Sequence, residues 1–187
     1  MTVCFYARLV GAMQTYEDIR DMMGALQVYT ELIQYMANFA KEEEKLTNAK
    51  TTLNYGVGGC CNCLNKMFKV NSEDEEFCEK LAKMVGSSTS IVTMLFKHAL
   101  DEDTIMAKYG TQLLRNVFAN NLAVVYQTIT STKSLKKTVI KTLVRGLGEE
   151  HKFKEVNDNL MVVFKKIGKK DAGGIGKEVR DALRDDE

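Results

Sequence analysis

From residue 15 onward, apolar side chains return at steps of three and four, the spacing that lines one face of an α-helix. Ile19, Met22, Met23, Leu26, Tyr29, Ile33, Met36 and Ala37 follow it between residues 15 and 41. Gly24 is a weak point where this stretch can divide in two, and Thr15 or Thr30 can cap a helix start. After the acidic turn Glu42-Glu43-Glu44 the period resumes through Leu46, Ala49, Leu53, Val57, Cys60, Cys61, Leu64 and Phe68. Gly56, Gly58 and Gly59 lie inside that run. Each weakens an isolated helix by about 1 kcal/mol, so the run implies a break or a neighbouring helix that must come very close. Asn71 or Ser72, followed by Glu73 to Glu76, predicts the next start, because acids suit the positive end of a helix.

That helix carries Phe77, Leu81, Met84 and Val85, and a turn with renewed capping follows over residues 86–90. Residues 91–100 read as an apolar helix ending at Asp101-Glu102-Asp103. Ile105, Met106, Tyr109, Leu113, Leu114, Val117 and Phe118 line the next one, which Asn120-Asn121 ends. Residues 122–130 fit a helix or a strand, and helix is favoured because no partner strand is evident. Residues 134–147 repeat the apolar period, and after Gly148 it returns at Phe153, Val156, Leu160, Met161, Phe164 and Ile167. The end of the chain reads as a glycine hinge at 173–176 and a short charged helix. The organisation expected is one all-α unit over 1–170 and a hinged tail over 171–187.

Three segments share one template of apolar helix, acidic turn and second amphipathic helix. They begin at Leu32, Ile91 and Val139, so the second starts 59 residues after the first and the third 48 after the second. Their fifth positions are Met36, Leu95 and Leu143, and the apolar residues after the turn are Leu46, Ile105 and Phe153. Such units cannot bury their apolar faces alone and find a core by stacking. Leu113-Leu114-Arg115-Asn116 resembles the armadillo pattern of paired leucines followed by Asn, and Asp101-Glu102-Asp103 is similar to the acidic turn between the helices of armadillo and HEAT units. The resemblance covers roughly residues 30–167 and marks a divergent member of that superfamily, although the Gly-Xaa-Ile-Pro positions are absent. It implies a short right-handed array of helical hairpins. A compact antiparallel bundle would show the same apolar steps and stands as the alternative.

Composition narrows the fold further. There is no proline among 187 residues, where ordinary usage would give about nine, and the turns of a sandwich or barrel then lack their usual punctuation. The net charge is +1, so no global field recruits nucleic acid or membrane. The opening segment has no basic leader and is interrupted by Arg8, unlike a secretory signal. Five cysteines (Cys4, Cys60, Cys61, Cys63, Cys78), with three crowded together, do not read as a disulfide framework. A reduced cytoplasmic or nuclear setting is expected.

Candidate chemistry is sparse. Cys60, Cys61, Cys63 and Cys78 invite a metal, but a Cys-Xaa-Cys with one distant cysteine lacks the second ligand pair of structural zinc. Buried thiols that behave as small hydrophobes are the preferred reading. His98 is either a base oriented by the acids after it or a helix-end histidine favoured by the dipole, and the second is preferred. His151 is expected in solvent, as are the acids of 42–44 and 101–103. Gly173-Gly174-Ile175-Gly176-Lys177 departs from a phosphate loop, because Glu178 stands where Ser or Thr is needed.

One surface feature stands out. Lys133, Lys137, Lys141 and Arg145 recur at i+4 with Lys136 beside them, which makes a cationic helix edge. Residues 130–187 hold 14 basic and 10 acidic side chains. The expected function is a non-catalytic protein-interaction module or assembly subunit, without metal or cofactor, that meets its partner through this surface. Two alternatives remain: a bundle binding a hydrophobic ligand, and binding of nucleic acid or phosphate through the same ridge.

Overall fold

A chain without proline must stop and start its helices by other means, and here side chains do it. The computed structural model describes residues 28–102, 104–171 and 174–185. The expectations for Cys4, Thr15, Gly24, Asp103 and Gly173, and for the first half of the 15–41 stretch, lie outside them. Among the described residues there is no strand. The helices are α1 (Val28–Glu42), α2 (Gly58–Val70), α3 (Glu75–Gly86), α4 (Thr89–Lys97), α5 (Ile105–Asn120), α6 (Leu122–Thr130), α7 (Lys133–Gly148), α8 (Lys154–Lys170) and α9 (Ile175–Asp185). Five begin on a side-chain cap that accepts an exposed first-turn amide N–H. The pairs are Asp74 with Phe77 (2.9 Å), Ser88 with Ile91 (3.4 Å), Thr104 with Ala107 (3.0 Å), Asn121 with Val124 (3.2 Å) and Thr132 with Leu135 (3.2 Å).

Several sequence expectations change in detail. The cap of α3 is Asp74, not Asn71 or Ser72; Asn71 instead donates to Met67 O at the end of α2 (2.9 Å). Thr30 lies inside α1 rather than at its start. Residues 122–130 are helical. The approach to α2 is not one continuous α-helix: a 3-10 turn (Glu43–Lys45) leads to a single α turn (Ala49–Thr51) and then a π-helical segment (Thr52–Val57). Leu46 and Met161 fall on the apolar period but remain 41% and 39% exposed, so neither joins the core.

Two rows of helices emerge from the packing. In one, α5 lies between α2 and α8, and the contacts advance in the same direction along each pair. Gly58 meets Ile105 and Met106, while further along both helices Asn65 donates to Tyr109 O and accepts from Asn116, each at 2.9 Å. On the other side, Lys108 reaches Glu155 (3.1 Å) and Asn159 donates to Thr111 Oγ1 (3.4 Å). In the second row α4 lies between α1 and α7. Thr142 donates to Phe96 O (3.0 Å), one turn before Leu100 meets Gly146. The end of α1 sits beside the end of α4.

Between the rows lies the core, where Phe96 and Phe118 meet edge to face at 6.3 Å among Leu95, Leu113 and Leu114. The glycine run serves close approach. A Cβ on Gly58 would stand 3.2 Å from both Ile105 Cγ2 and the Met106 backbone nitrogen. The segment after the hinge also docks, since Ile175 and Val179 are fully buried.

Candidate functional site

The cationic residues read from the sequence all lie on α7. Lys133, Lys137, Lys141 and Arg145 are exposed along one edge of it, as the i+4 spacing requires. Lys136 behaves differently: it is half-buried, and its Nζ lies 2.6 Å from Glu178 Oε1 on α9. Arg145 reaches Glu149 at 3.4 Å within its own helix end. Both pairs are solvent-facing, so each contributes at most about 1 kcal/mol. The ridge therefore consists of three exposed lysines with Arg145 at its end.

The acids expected in solvent are not all there. His98, at the end of α4, is 9% exposed. Its Nδ1 lies 2.6 Å from Asp101 Oδ2 and its Nε2 2.6 Å from Glu43 Oε1. Glu43 Oε2 also receives Lys97 Nζ at 3.2 Å. Burial disfavours the imidazolium, but the hydrogen bonds and charges of Asp101 and Glu43 outweigh it and hold the His98 pKa above the ordinary imidazole value. With both ring nitrogens engaged, the side chain is a two-sided clamp between the turn after α1 and the turn after α4. Position at a helix end was legible; the partner 55 residues away was not.

His151 is likewise not a solvated turn residue. Its Nδ1 accepts from Phe153 N (3.0 Å), and its ring leans on Phe153 at 5.8 Å. That leaves the hydrogen of the neutral ring on Nε2, which is buried with no partner among the described residues. The turn around it is organised by Asn157, which donates to Gly146 O (2.7 Å) and Glu149 O (2.8 Å) and accepts from His151 N (2.9 Å).

Cys60, Cys61, Cys63 and Cys78 are all buried, and no disulfide joins them. Among the described residues, no group of three or more His, Cys, Asp or Glu side chains could hold a metal ion. Burial, with the neighbouring Cys60, raises the Cys61 pKa well above its ordinary value. Burial likewise takes Cys63 to about 12 against the opposing charge of Lys66. Cys78 is raised by burial and by Asp74, and it donates to Asn71 O at 3.2 Å. Nucleophilic and redox cysteines need the opposite shift. These thiols are wall material.

Sequence reasoning missed the polar joints between rows. Asn54, within the π segment, accepts from Ile105 N (2.6 Å) and Met106 N (3.3 Å), which caps α5 from a different part of the chain. Asn65 and Asn159 are each 4% exposed and fasten α5 to α2 and α8. Their signal was present: each interrupts an apolar stripe, Asn65 four residues after Cys61 and Asn159 three after Val156. A buried amide has to find partners, so a polar residue at a core position marks a joint.

No described helix is long and apolar enough to cross a membrane. The chain matches no family model, no curated protein and no solved structure closely enough to count as a relative.

Proposed function

We propose that the chain is a short array of the armadillo/HEAT kind whose work is recognition, and that it binds an acidic segment of a partner protein through the edge of α7. The observation that carries this reading is the order of the two rows. Helices taken from successive thirds of the sequence lie side by side, α1 with α4 and α7, α2 with α5 and α8. A row of that kind presents a long surface on which binding arises from complementarity over area rather than from reactive groups. Lys133, Lys137 and Lys141 stand out from it with spacing suited to alternate acidic side chains, and complementary charge of this kind sets partner choice and encounter rate. Four buried thiols with no disulfide among them support a reducing compartment as the setting.

The test is titration of the full chain with Asp/Glu-rich peptides, followed by fluorescence anisotropy. The reading expects saturable binding that weakens about tenfold or more in Lys137→Glu/Lys141→Glu, a loss of at least about 1.4 kcal/mol. Both side chains are exposed, so the thermal midpoint stays close to that of the unaltered chain. Absence of peptide binding together with RNA binding that falls steeply with salt would transfer the ridge to nucleic acid and overturn the reading.

A further inference from the structure

At the far end of the α2–α5 contact, where both helices approach their C-termini, the surface opens into a recess of about 350 Å³. Two cations line it, Lys69 from α2 and Arg115 from α5, together with Ser72 and Gln112. No carboxylate is among the described residues lining it. In a chain of 26 basic and 25 acidic residues, two cations line this wall, and the carboxylate felt there is that of Asp74, which acts on the lining thiol of Cys78 from behind it.

The inner wall is fixed. Asn116 donates to Asn65, and Asn65 donates to Tyr109 O, so these amides are spent holding α2 against α5. The Cys78 thiol is engaged with Asn71 O. The donors of Lys69, Ser72 and Gln112 have no partner among the described residues. Arg115 gives only its Nη1, to Asn159 Oδ1 at 3.5 Å, a long contact. What faces the opening is thus a set of donors with two positive charges: Lys69, Gln112 and Arg115 stand on helices whose register is pinned from behind, and Ser72 in the turn after α2. A fixed wall behind a set of donors is one thing a ligand site requires.

We propose that this recess binds a phosphate-monoester group. A phosphate monoester carries a charge near −2 at neutral pH and three strong acceptor oxygens. Lys69 and Arg115 match that charge, and the fork of Arg115 suits two oxygens of one oxyanion. The Ser72 hydroxyl and the Gln112 amide supply neutral donors to the third. A carboxylate offers one charge and two oxygens, and would leave part of this set unmatched. The site lies on α2 and α5, away from the cationic edge of α7, and stands independently of the role proposed for that edge.

The experiment titrates the full chain with inorganic phosphate at constant ionic strength, with chloride and acetate as references, and follows backbone and side-chain amide resonances. Expected are saturable shifts at Lys69, Gln112 and Arg115, and a loss of about tenfold in affinity in each of K69Q and R115Q. K83Q on α3, an exposed lysine outside both surfaces, leaves the titration unchanged. Unaltered thermal midpoints verify the variants, and if R115Q disturbs packing through Asn159, K69Q alone decides. A phosphoserine peptide that binds about tenfold tighter than phosphate, while its unphosphorylated form does not, assigns the group to a modified partner protein. Equal or weaker peptide binding assigns it to a free phosphate ester. The proposal is overturned by shifts that do not saturate, by shifts spread equally over the lysines of α7, or by affinity indifferent to K69Q and R115Q. Loss of acidic-peptide binding in the α7 variants with phosphate binding intact would leave this site standing.

Discussion

Glu43 Oε1 lies 2.6 Å from His98 Nε2, so a carboxylate in the turn after α1 is joined to the last residue capping α4. On its other side the same ring meets Asp101 at 2.6 Å. The three groups hold together only while the imidazole is charged, because a neutral ring has one donor for two carboxylates. That makes the joint between the first and second helices of this row dependent on one proton.

The pH dependence follows from the direction of the His98 shift. Its folded pKa is raised by Asp101 and Glu43 over the opposing effect of burial. The native state therefore holds this proton more tightly than the unfolded chain does. The stabilisation is complete below the ordinary imidazole value of about 6.5 and is lost as pH rises through the raised folded value. Denaturant midpoints measured from pH 5.5 to 9 should fall across that upper range in the unaltered chain. His98→Gln should lower stability at pH 6 by about 2 kcal/mol, the order of a hydrogen bond to a charged group, and should flatten the fall above it. A variant whose pH profile parallels that of the unaltered chain would show that His98 is not the titrating joint.

A second joint is uncharged. Asn54 accepts from two amides at the start of α5, at 2.6 and 3.3 Å, adding a distant cap to the local one from Thr104. Asn54→Ala should destabilise the fold by about 1–2 kcal/mol, as removal of a helix cap does. Asn54→Asp keeps the acceptor and places a negative charge at the positive end of the helix, so it should recover most of that loss. If Ala and Asp prove equivalent in urea denaturation, the cap contributes nothing.

Close approach at Gly58 gives a prediction opposed by propensity. Alanine favours helix over glycine by about 1 kcal/mol, and Gly58 has ordinary helical dihedrals, φ −59° and ψ −36°. Its added Cβ, however, would press on the Met106 backbone nitrogen and Ile105 Cγ2 at 3.2 Å. That part of α5 is held by Asn54 and cannot retreat freely. Overpacking of this kind costs about 1–3 kcal/mol, so Gly58→Ala should be destabilising despite its better propensity. A rise in thermal midpoint would mean that α2 and α5 can separate.

These joints also show which parts of the molecule the sequence discloses. Periodicity located the helices because burial of an apolar stripe is a local demand: Leu95, Leu113, Val139, Leu143 and Leu160 are fully buried as their spacing predicts. The same rule misplaced Leu46 and Met161, since a stripe says where a face points and not whether another helix covers it. The cationic edge of α7 was legible for the same local reason. Glu43 with His98, and Asn54 with Ile105, were hidden because their partners are 55 and 51 residues apart, and the π segment that aims Asn54 leaves no mark in composition. The Lys69–Arg115 recess was hidden too, because its two cations come from different helices.

The thiols supply the last test. With Cys60, Cys61 and Cys63 fully buried and Cys78 3% exposed, a reagent reaches them only when the structure opens. Burial has moved Cys63 to about 12, so under one thiol in about ten thousand is ionised there at pH 8. Alkylation with iodoacetamide at pH 8, mapped by peptide mass, should leave these four unmodified over the time in which a denatured sample is fully labelled. Their labelling rates should rise together with denaturant, since the thiolate is the reacting form and opening is what restores it. Fast native labelling of Cys60, Cys61 or Cys63 would mean that α2 leaves the α5 surface far more often than its buried contacts imply.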